Sequence, residues 1–164
     1  ERSVSSSSDF PQDQFDLSYS WGYSNFDARH KFVTSFGWQL PANFLVSGIY
    51  TWRSGFPYSA EDPDDNNGDG YRNETAMVEV SPGVFELFER NTERQPNYTT
   101  FDLRLSWTAN LGKRMQLELI GEVFNLFDSS NWLTDEFGYF DDEFGQNTLP
   151  GEPRTFQVGA KFRF

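Results

Sequence analysis

Apolar and polar residues alternate one for one in five stretches of this chain. In residues 27–38, Phe32, Thr34, Phe36 and Trp38 share one parity, opposite Val33, Ser35 and Gly37. Residues 43–52 repeat the pattern with Phe44, Val46, Gly48, Tyr50 and Trp52. In residues 98–108, Phe101, Leu103, Leu105 and Trp107 oppose Asp102, Arg104 and Ser106. Residues 114–124 set Met115, Leu117, Leu119, Gly121 and Val123 against Gln116, Glu118 and Glu122. The last stretch, 154–164, sets Phe156, Val158, Ala160, Phe162 and Phe164 against Gln157, Gly159, Lys161 and Arg163. A period of two places alternate side chains on opposite faces of a strand, so each stretch predicts a strand with one apolar and one polar face.

The connections alternate as well. Leu40-Pro41-Ala42 and residues 109–113 read as short turns, whereas 53–96 and 125–153 are long, acidic and aromatic. Shared parity keeps both apolar sets of a hairpin on one side. A first hairpin with Trp38 opposite Phe44 brings Phe32 across from Tyr50. A second, centred on Leu111, sets Leu105 against Leu117, Leu103 against Leu119 and Arg104 against Glu118. Residues 1–26 predict a loop with a short strand around 15–21, and 76–80 with 84–88 a small hairpin inside the first long connection.

Long connections on one rim and short turns on the other are the habit of transmembrane β-barrels. A structureless forty-residue loop would be anomalous inside a compact soluble core. Each strand matches the ~9–11 residues needed to cross a bilayer at a tilt. Trp38 and Trp107, with Phe162 and Phe164, fall near the short-turn rim and Trp52 near the other, as interfacial aromatic belts do. The expected fold is all-β: the last five strands of an antiparallel transmembrane β-barrel, with residues 1–26 and the two long connections as extracellular loops. Lipid meets the apolar face. Arg104, Glu118, Glu122, Lys161 and Arg163 face a watery lumen. Because lipid does not tolerate an open sheet edge, the barrel is expected to be completed by further residues or other chains.

Composition supports order and narrows function. Of the 164 residues 18% are aromatic, too many for a disordered segment. No apolar run approaches the ~20 residues of a membrane helix. A formal charge of −12 argues against nucleic acid as a partner, since phosphates would be repelled. Without cysteine there is no disulfide framework or thiol nucleophile. Glu1 opens into the Ser5–Ser8 run without a starting Met or signal pattern, so the chain is expected to be processed or part of something longer.

The wording of several strands is familiar. Gln157-x-Gly159-x-x-Phe162-x-Phe164 resembles the terminal signal read by the barrel-assembly machinery of outer membranes. Phe26-Asp27-Ala28-Arg29-His30-Lys31-Phe32 resembles the opening strand of TonB-dependent receptors, in particular the Oar-like subgroup that carries a carboxypeptidase-regulatory-like domain. Trp52–Tyr58, Asn66–Gly70, Phe101–Leu105 and Glu122–Phe127 follow in that family's order. The resemblance implies a 22-stranded barrel with an N-terminal plug, importing ligand with energy from the TonB complex across the outer membrane of a Gram-negative bacterium. This chain would supply the last five strands and their outer loops, in contact with lipid and lipopolysaccharide.

Candidate chemistry is sparse. Asp65-x-Asn67-x-Asp69-Gly70, with Tyr71 offering the next alternating oxygen, matches the first half of a calcium loop, but its twelfth position is Ala76 where a bidentate Glu should stand. An acidic solvated turn explains the same residues. The second cluster, Asp135, Glu136, Asp141, Asp142 and Glu143, reads as a solvated face. Glu118 and Glu122 lie roughly 13 Å apart along a strand, beyond the ~5–9.5 Å of glycosidase carboxylates, and read as partners of inward cations. The single His30 has no nucleophile in context and reads as structural. Catalysis is not expected. Three roles remain open: an energised receptor, a barrel of the same family serving adhesion or surface assembly, and a secreted soluble β-sandwich binding through its loops. Trp132, Phe137, Tyr139 and Phe140 are candidate loop contacts.

Overall fold

The structure, a computed structural model, describes residues 2–3, 11–13, 15–62, 64–68, 70, 74–112, 114–134, 142 and 144–164. Among these there is no α-helix. The strands are β1 (Arg2–Ser3), β2 (Gly22–Tyr23), β3 (Lys31–Leu40), β4 (Phe44–Arg53), β5 (Pro57–Tyr58), β6 (Met77–Ser81), β7 (Val84–Leu87), β8 (Glu93–Arg94), β9 (Tyr98–Asn110), β10 (Gln116–Phe124) and β11 (Thr155–Arg163). They fall into two units. One comprises residues 30–53, 97–131 and 150–164; the other comprises 1–29, 54–96 and 132–149.

The first unit is a five-stranded antiparallel meander in the order β11-β10-β9-β4-β3. Its cross-strand rows keep the expected parity. Phe32 pairs with Trp52, Tyr50 with Phe101, Phe44 with Trp107, Leu119 with Trp107 and Leu117 with Phe162. One face is therefore apolar across all five strands. The other carries Arg104, Glu118, Glu122, Lys161 and Arg163, interspersed with Val33, Leu45, Ile49 and Ile120.

The registers differ from expectation while the parity does not. Trp38 lies opposite Val46, because the turn is the full Pro41–Asn43, where Ala42 (φ 59°) and Asn43 (φ 63°) both adopt left-handed backbone. Pro41 fixes the approach to that turn. Phe32 and Tyr50 still meet, as diagonal neighbours with centroids 6.2 Å apart. In the second hairpin Leu105 opposes Gly121, Leu103 opposes Val123 and Arg104 opposes Glu122. That turn spans 111–115, closed by Leu111 N donating to Met115 O at 2.9 Å, with Gly112 at φ 121°. Both slips are even-numbered, so every side chain stays on its predicted face.

β3 begins at Lys31 and not near 27, because the preceding backbone is turned. Asp27 N donates to Ser24 O and Ala28 N to Phe26 O, both at 2.9 Å. The short strand expected around 15–21 is instead a 3-10 turn, Leu17–Ser20, capped by the Asp16 carboxylate accepting from Ser18 N. β6 and β7 form the small hairpin as expected. Inside the meander, Phe36 lies across Gly48 and stacks toward Phe101 at 6.3 Å. A Cβ on Gly48 would come within 2.6 Å of the Phe36 ring.

Among the described residues, most large apolar side chains of the meander are exposed. The only buried hydrophobic residues among those described are Ala60 and Ala76, both in the other unit, while Trp38 is 68% exposed and Val158 87%. β3 and β11 each have a single neighbour. A sheet wet on both faces with two open edges has no hydrophobic core of its own.

Candidate functional site

The polar face concentrates its charge on β9, β10 and β11. Arg104, opposite Glu122, spans two turns of the pleat. Its Nη1 donates to Glu122 Oε1 and its Nη2 to Glu118 Oε1, each at 3.4 Å. Arg163 lies 4.0 Å from the other oxygen of Glu118 and donates to Gln116 Oε1 at 3.0 Å. Lys161 is directly opposite Glu118 in the register. The two carboxylates are thus tied to one guanidinium, an arrangement for neutralising a wet wall and not for passing protons. This ladder could line an aqueous path; it has no nucleophile or acid–base pair.

The predicted aromatic positions all sit on the opposite, apolar face. Trp107 meets Phe44 at 6.3 Å near the rim of short turns, and Trp38 is two residues from the end of β3. Trp52 pairs with Phe32 and Thr99 toward the other rim. On β11, Gln157 opposes Glu122, Gly159 opposes Ile120 and Phe162 opposes Leu117. The Phe162 and Phe164 rings tilt together at 6.0 Å, and Phe164 is 96% exposed.

Both long connections leave and rejoin the meander at the rim opposite the turns 41–43 and 111–115. There two asparagines, unremarked in the sequence, do structural work. Asn131, 8% exposed, accepts from Thr99 N at 2.7 Å and donates to Thr99 O at 2.9 Å, as a strand would. Asn125, 3% exposed, donates through its side chain to Ser129 O and Glu152 O, and its backbone N donates to Asp102 Oδ1. Both hold positive φ, a conformation Asn tolerates. The signal was present as Asn and Ser crowded into 125–131, but nothing local names Thr99 or Glu152 as partners.

In the other unit, a polar cluster holds residues 22–29 against 55–94. Asn91 donates to Tyr23 O and Asn25 Oδ1, each at 2.6 Å. Arg94 pairs with the Asp27 carboxylate at 2.9 Å and shares the Tyr23 ring with Arg29, at 5.3 and 5.0 Å. The Arg94 hydrogen bond holds the Asp27 carboxyl below its ordinary range, against a smaller desolvation effect. Burial, with Glu93 nearby, pushes the Tyr58 phenol up. Gly22 and Gly55 permit close backbone passage: a Cβ on Gly55 would lie 1.6 Å from Gln95 O. The single His30 has an interaction partner of its own and stands at the foot of β3.

Of the predicted calcium ligands, Asp69 and Tyr71 lie outside the described residues, as do Asp135, Glu136, Asp141, Glu143, Phe137, Tyr139 and Phe140. The Asp65 carboxylate accepts from Gly68 N at 2.7 Å and Gly70 N at 3.0 Å, and the Asn67 amide donates to Gln12 O. Among the described residues no three His, Cys, Asp or Glu side chains gather as a metal site. Beside it opens a cavity of about 780 Å³, between the 12–19 segment, the acidic turn and the β6–β7 hairpin.

A family model described as an outer membrane beta barrel domain matches residues 1–85. No curated protein and no solved structure matches the chain. The matched residues run through the β3–β4 hairpin, whose strands carry the same two-faced pattern as the rest of the meander. An uncovered apolar face, a charged face opposite and an antiparallel meander are what a barrel wall requires, and this chain belongs to the outer membrane beta barrel domain family.

Proposed function

We propose that this outer-membrane chain forms the closing strands and outer loops of a TonB-dependent receptor in a Gram-negative bacterium. Its long connections capture ligand outside the cell, and the ladder of Arg104, Glu118, Glu122, Lys161 and Arg163 lines the lumen through which ligand passes. The observation that carries this reading is the asymmetry of the meander. Turns 41–43 and 111–115 close one rim, while both long connections open from the other. The ordered resemblance from Phe26 to the terminal strand supports the receptor family in particular. Trp38, Trp52 and Trp107 then sit in the interfacial belts, and Gln157, Gly159, Phe162 and Phe164 present the assembly signal on an edge strand. The role proposed is binding and transport; on the lumen face Arg104 pairs with Glu118 and Glu122, and Arg163 lies beside Glu118.

This chain contributes no cysteine, so in a receptor background otherwise free of cysteine a single introduced thiol reports one position. Glu86→Cys, on the β7 hairpin, is expected to react with a membrane-impermeant maleimide on intact cells; Leu111→Cys, in a short turn, only after lysis. Formaldehyde cross-linking in living cells is expected to yield an adduct of the protein with TonB, absent from a strain lacking TonB. Correct topology without that adduct would make this a barrel of adhesion or surface assembly. Recovery in the soluble fraction would overturn the barrel role altogether.

A further inference from the structure

We infer that the lipid-facing wall carries a site for one outer-leaflet lipid: Arg154 takes a phosphate of the headgroup, and the open space at Gly121 takes an acyl chain. The inference rests on the barrel family and on the long connections facing outward; it does not need energised uptake. Two glycines interrupt the apolar face, and their surroundings differ. At Gly48 the space left by the missing side chain is filled by the Phe36 ring, which a Cβ would approach to 2.6 Å. At Gly121 a Cβ would meet nothing within 4 Å among the described residues. Its cross-strand partners are Leu105 and Val158. A hollow of about 260 Å³ opens on one side of it, between Leu103, Val123, Phe156 and Val158. Another, of about 350 Å³, opens on the other side, between Phe44, Leu105, Trp107 and Leu119. Gly121 and Leu105 border both. The two hollows therefore make one apolar groove, running from Phe156 toward the rim of short turns.

The groove starts beside a cation. Arg154 stands two residues outward of Phe156, with its guanidinium 5.8 Å from the centre of that ring. Its backbone N donates to Asp128 Oδ1 at 3.0 Å and its Nη1 to Leu126 O at 3.4 Å, so both ends of the residue are anchored in 126–128. A guanidinium has five N–H donors, and among the described residues no carboxylate forms an ion pair with this one. Lys31 and Arg53, at the same rim, pair with each other across β3 and β4 on the lumen-facing parity. Arg154 is thus the cation on the lipid side of this rim.

Depth along the wall fits a lipid. Leu103, Val123 and Phe156 share one cross-strand row, and Phe101 and Arg154 each lie two residues outward of it. Phe101 pairs with Tyr50, and Phe127 stacks on it at 5.6 Å. Such aromatic side chains mark the boundary between headgroups and hydrocarbon. From Arg154 to Ala160 the chain runs about 20 Å along the strand. At the ~40° tilt of barrel strands that is about 15 Å of depth, one leaflet of a ~30 Å core. A free phosphate would leave the groove empty. An uncharged lipid would leave the guanidinium without an anion where the low dielectric makes such a pair strongest. A phosphate joined to acyl chains satisfies both, and the outer leaflet supplies one: the phosphorylated, acylated base of lipopolysaccharide.

The test uses the complete protein purified from outer membranes and stripped of lipid in detergent. Lipid A and its dephosphorylated form are the probes, and native mass spectrometry reads the bound fraction of each. Wild type is expected to bind lipid A about tenfold more tightly than the dephosphorylated form, the effect of one charge-assisted pair. Arg154→Gln is expected to bind the two alike. Arg154→Lys, which keeps the charge without the planar fork, is expected to fall between. Gly121→Val is expected to weaken both lipids by one factor, because its side chain occupies the groove. That variant suits the extended backbone of β10 and the room around Gly121, and a heat-modifiable electrophoretic band verifies its folding. Equal wild-type affinity for the two forms of lipid A would overturn the proposal, as would unchanged binding by folded Arg154→Gln or folded Gly121→Val. So would a preference for phosphatidylglycerol, a lipid of the inner leaflet. A wild type without the heat-modifiable band would overturn the barrel reading and the site with it, so failure of the site alone is told apart from failure of the fold.

Discussion

Asn131 shows how one side chain can stand in for a strand. It both accepts from and donates to the backbone of Thr99, at the rim where β9 begins. Removing it leaves two backbone groups without those partners, and unpaired buried polar groups cost about 1–3 kcal/mol. Asn131→Ala is expected to destabilise the refolded barrel by about that amount in urea titrations read by tryptophan fluorescence. Asn131→Asp, which keeps the acceptor, is expected to fall between. Asp27 offers a different handle. Its carboxyl is held below the usual range by the hydrogen bond from Arg94. A folded pKa below the unfolded value of about 3.9 means that the pair's contribution is fully present above that pH and is lost as pH falls through the folded value. Proteolysis of the 54–96 segment by an acid-active protease is therefore expected to accelerate as pH falls below about 4 in wild type, and to change little in Asp27→Asn. Parity alone identified the charged face on which Arg104 and Glu118 lie. It could not identify Asn125, Asn131 or Asp27, because Asp102, Thr99 and Arg94, with which they pair, stand 23 or more residues away in the chain.

At the scale of the strand, face and register separate cleanly. Which residues share a face follows from the pleat, a property of every extended backbone, and every strand of the meander obeyed it. Register depends on where a turn is centred. Two left-handed residues at Ala42 and Asn43, and a five-position closure from Leu111 to Met115, moved both hairpins by even steps. The slip transferred the guanidinium of Arg104 from a position opposite Glu118 to one bridging Glu118 and Glu122, and Arg163 of β11, beside Glu118, extends the ladder to a third strand. β11 is the element whose function depends on being an edge. Its nine residues are exposed and, among the described residues, pair only with β10. Phe162→Ser with Phe164→Ser leaves that pairing intact and removes the aromatic end. The variant is expected to accumulate outside the outer-membrane fraction, without the heat-modifiable electrophoretic band of a folded barrel. Normal membrane recovery would show that the terminal aromatics are dispensable for assembly.

For the molecule as a whole, the decisive feature is what the meander lacks. Among the described residues it has a largely exposed apolar face, and its edge strands β3 and β11 each pair with one neighbour only. The expected outcome is that this chain alone, refolded from urea into detergent, stays heat-unmodifiable and aggregates on dilution. The complete outer-membrane protein is expected to refold, because lipid-like surface then covers the apolar face and neighbouring strands satisfy the edges. By itself the sequence determined the strands, their two faces, the short and long rims and hence the barrel, because each is set by local periodicity and turn chemistry. Only the tertiary structure decided the registers, the Arg104 bridge, the asparagine splices at the rim and the acidic cavity of the loops. Those depend on contacts between residues far apart in the chain, and on backbone angles in the turns that alternation along a strand does not encode.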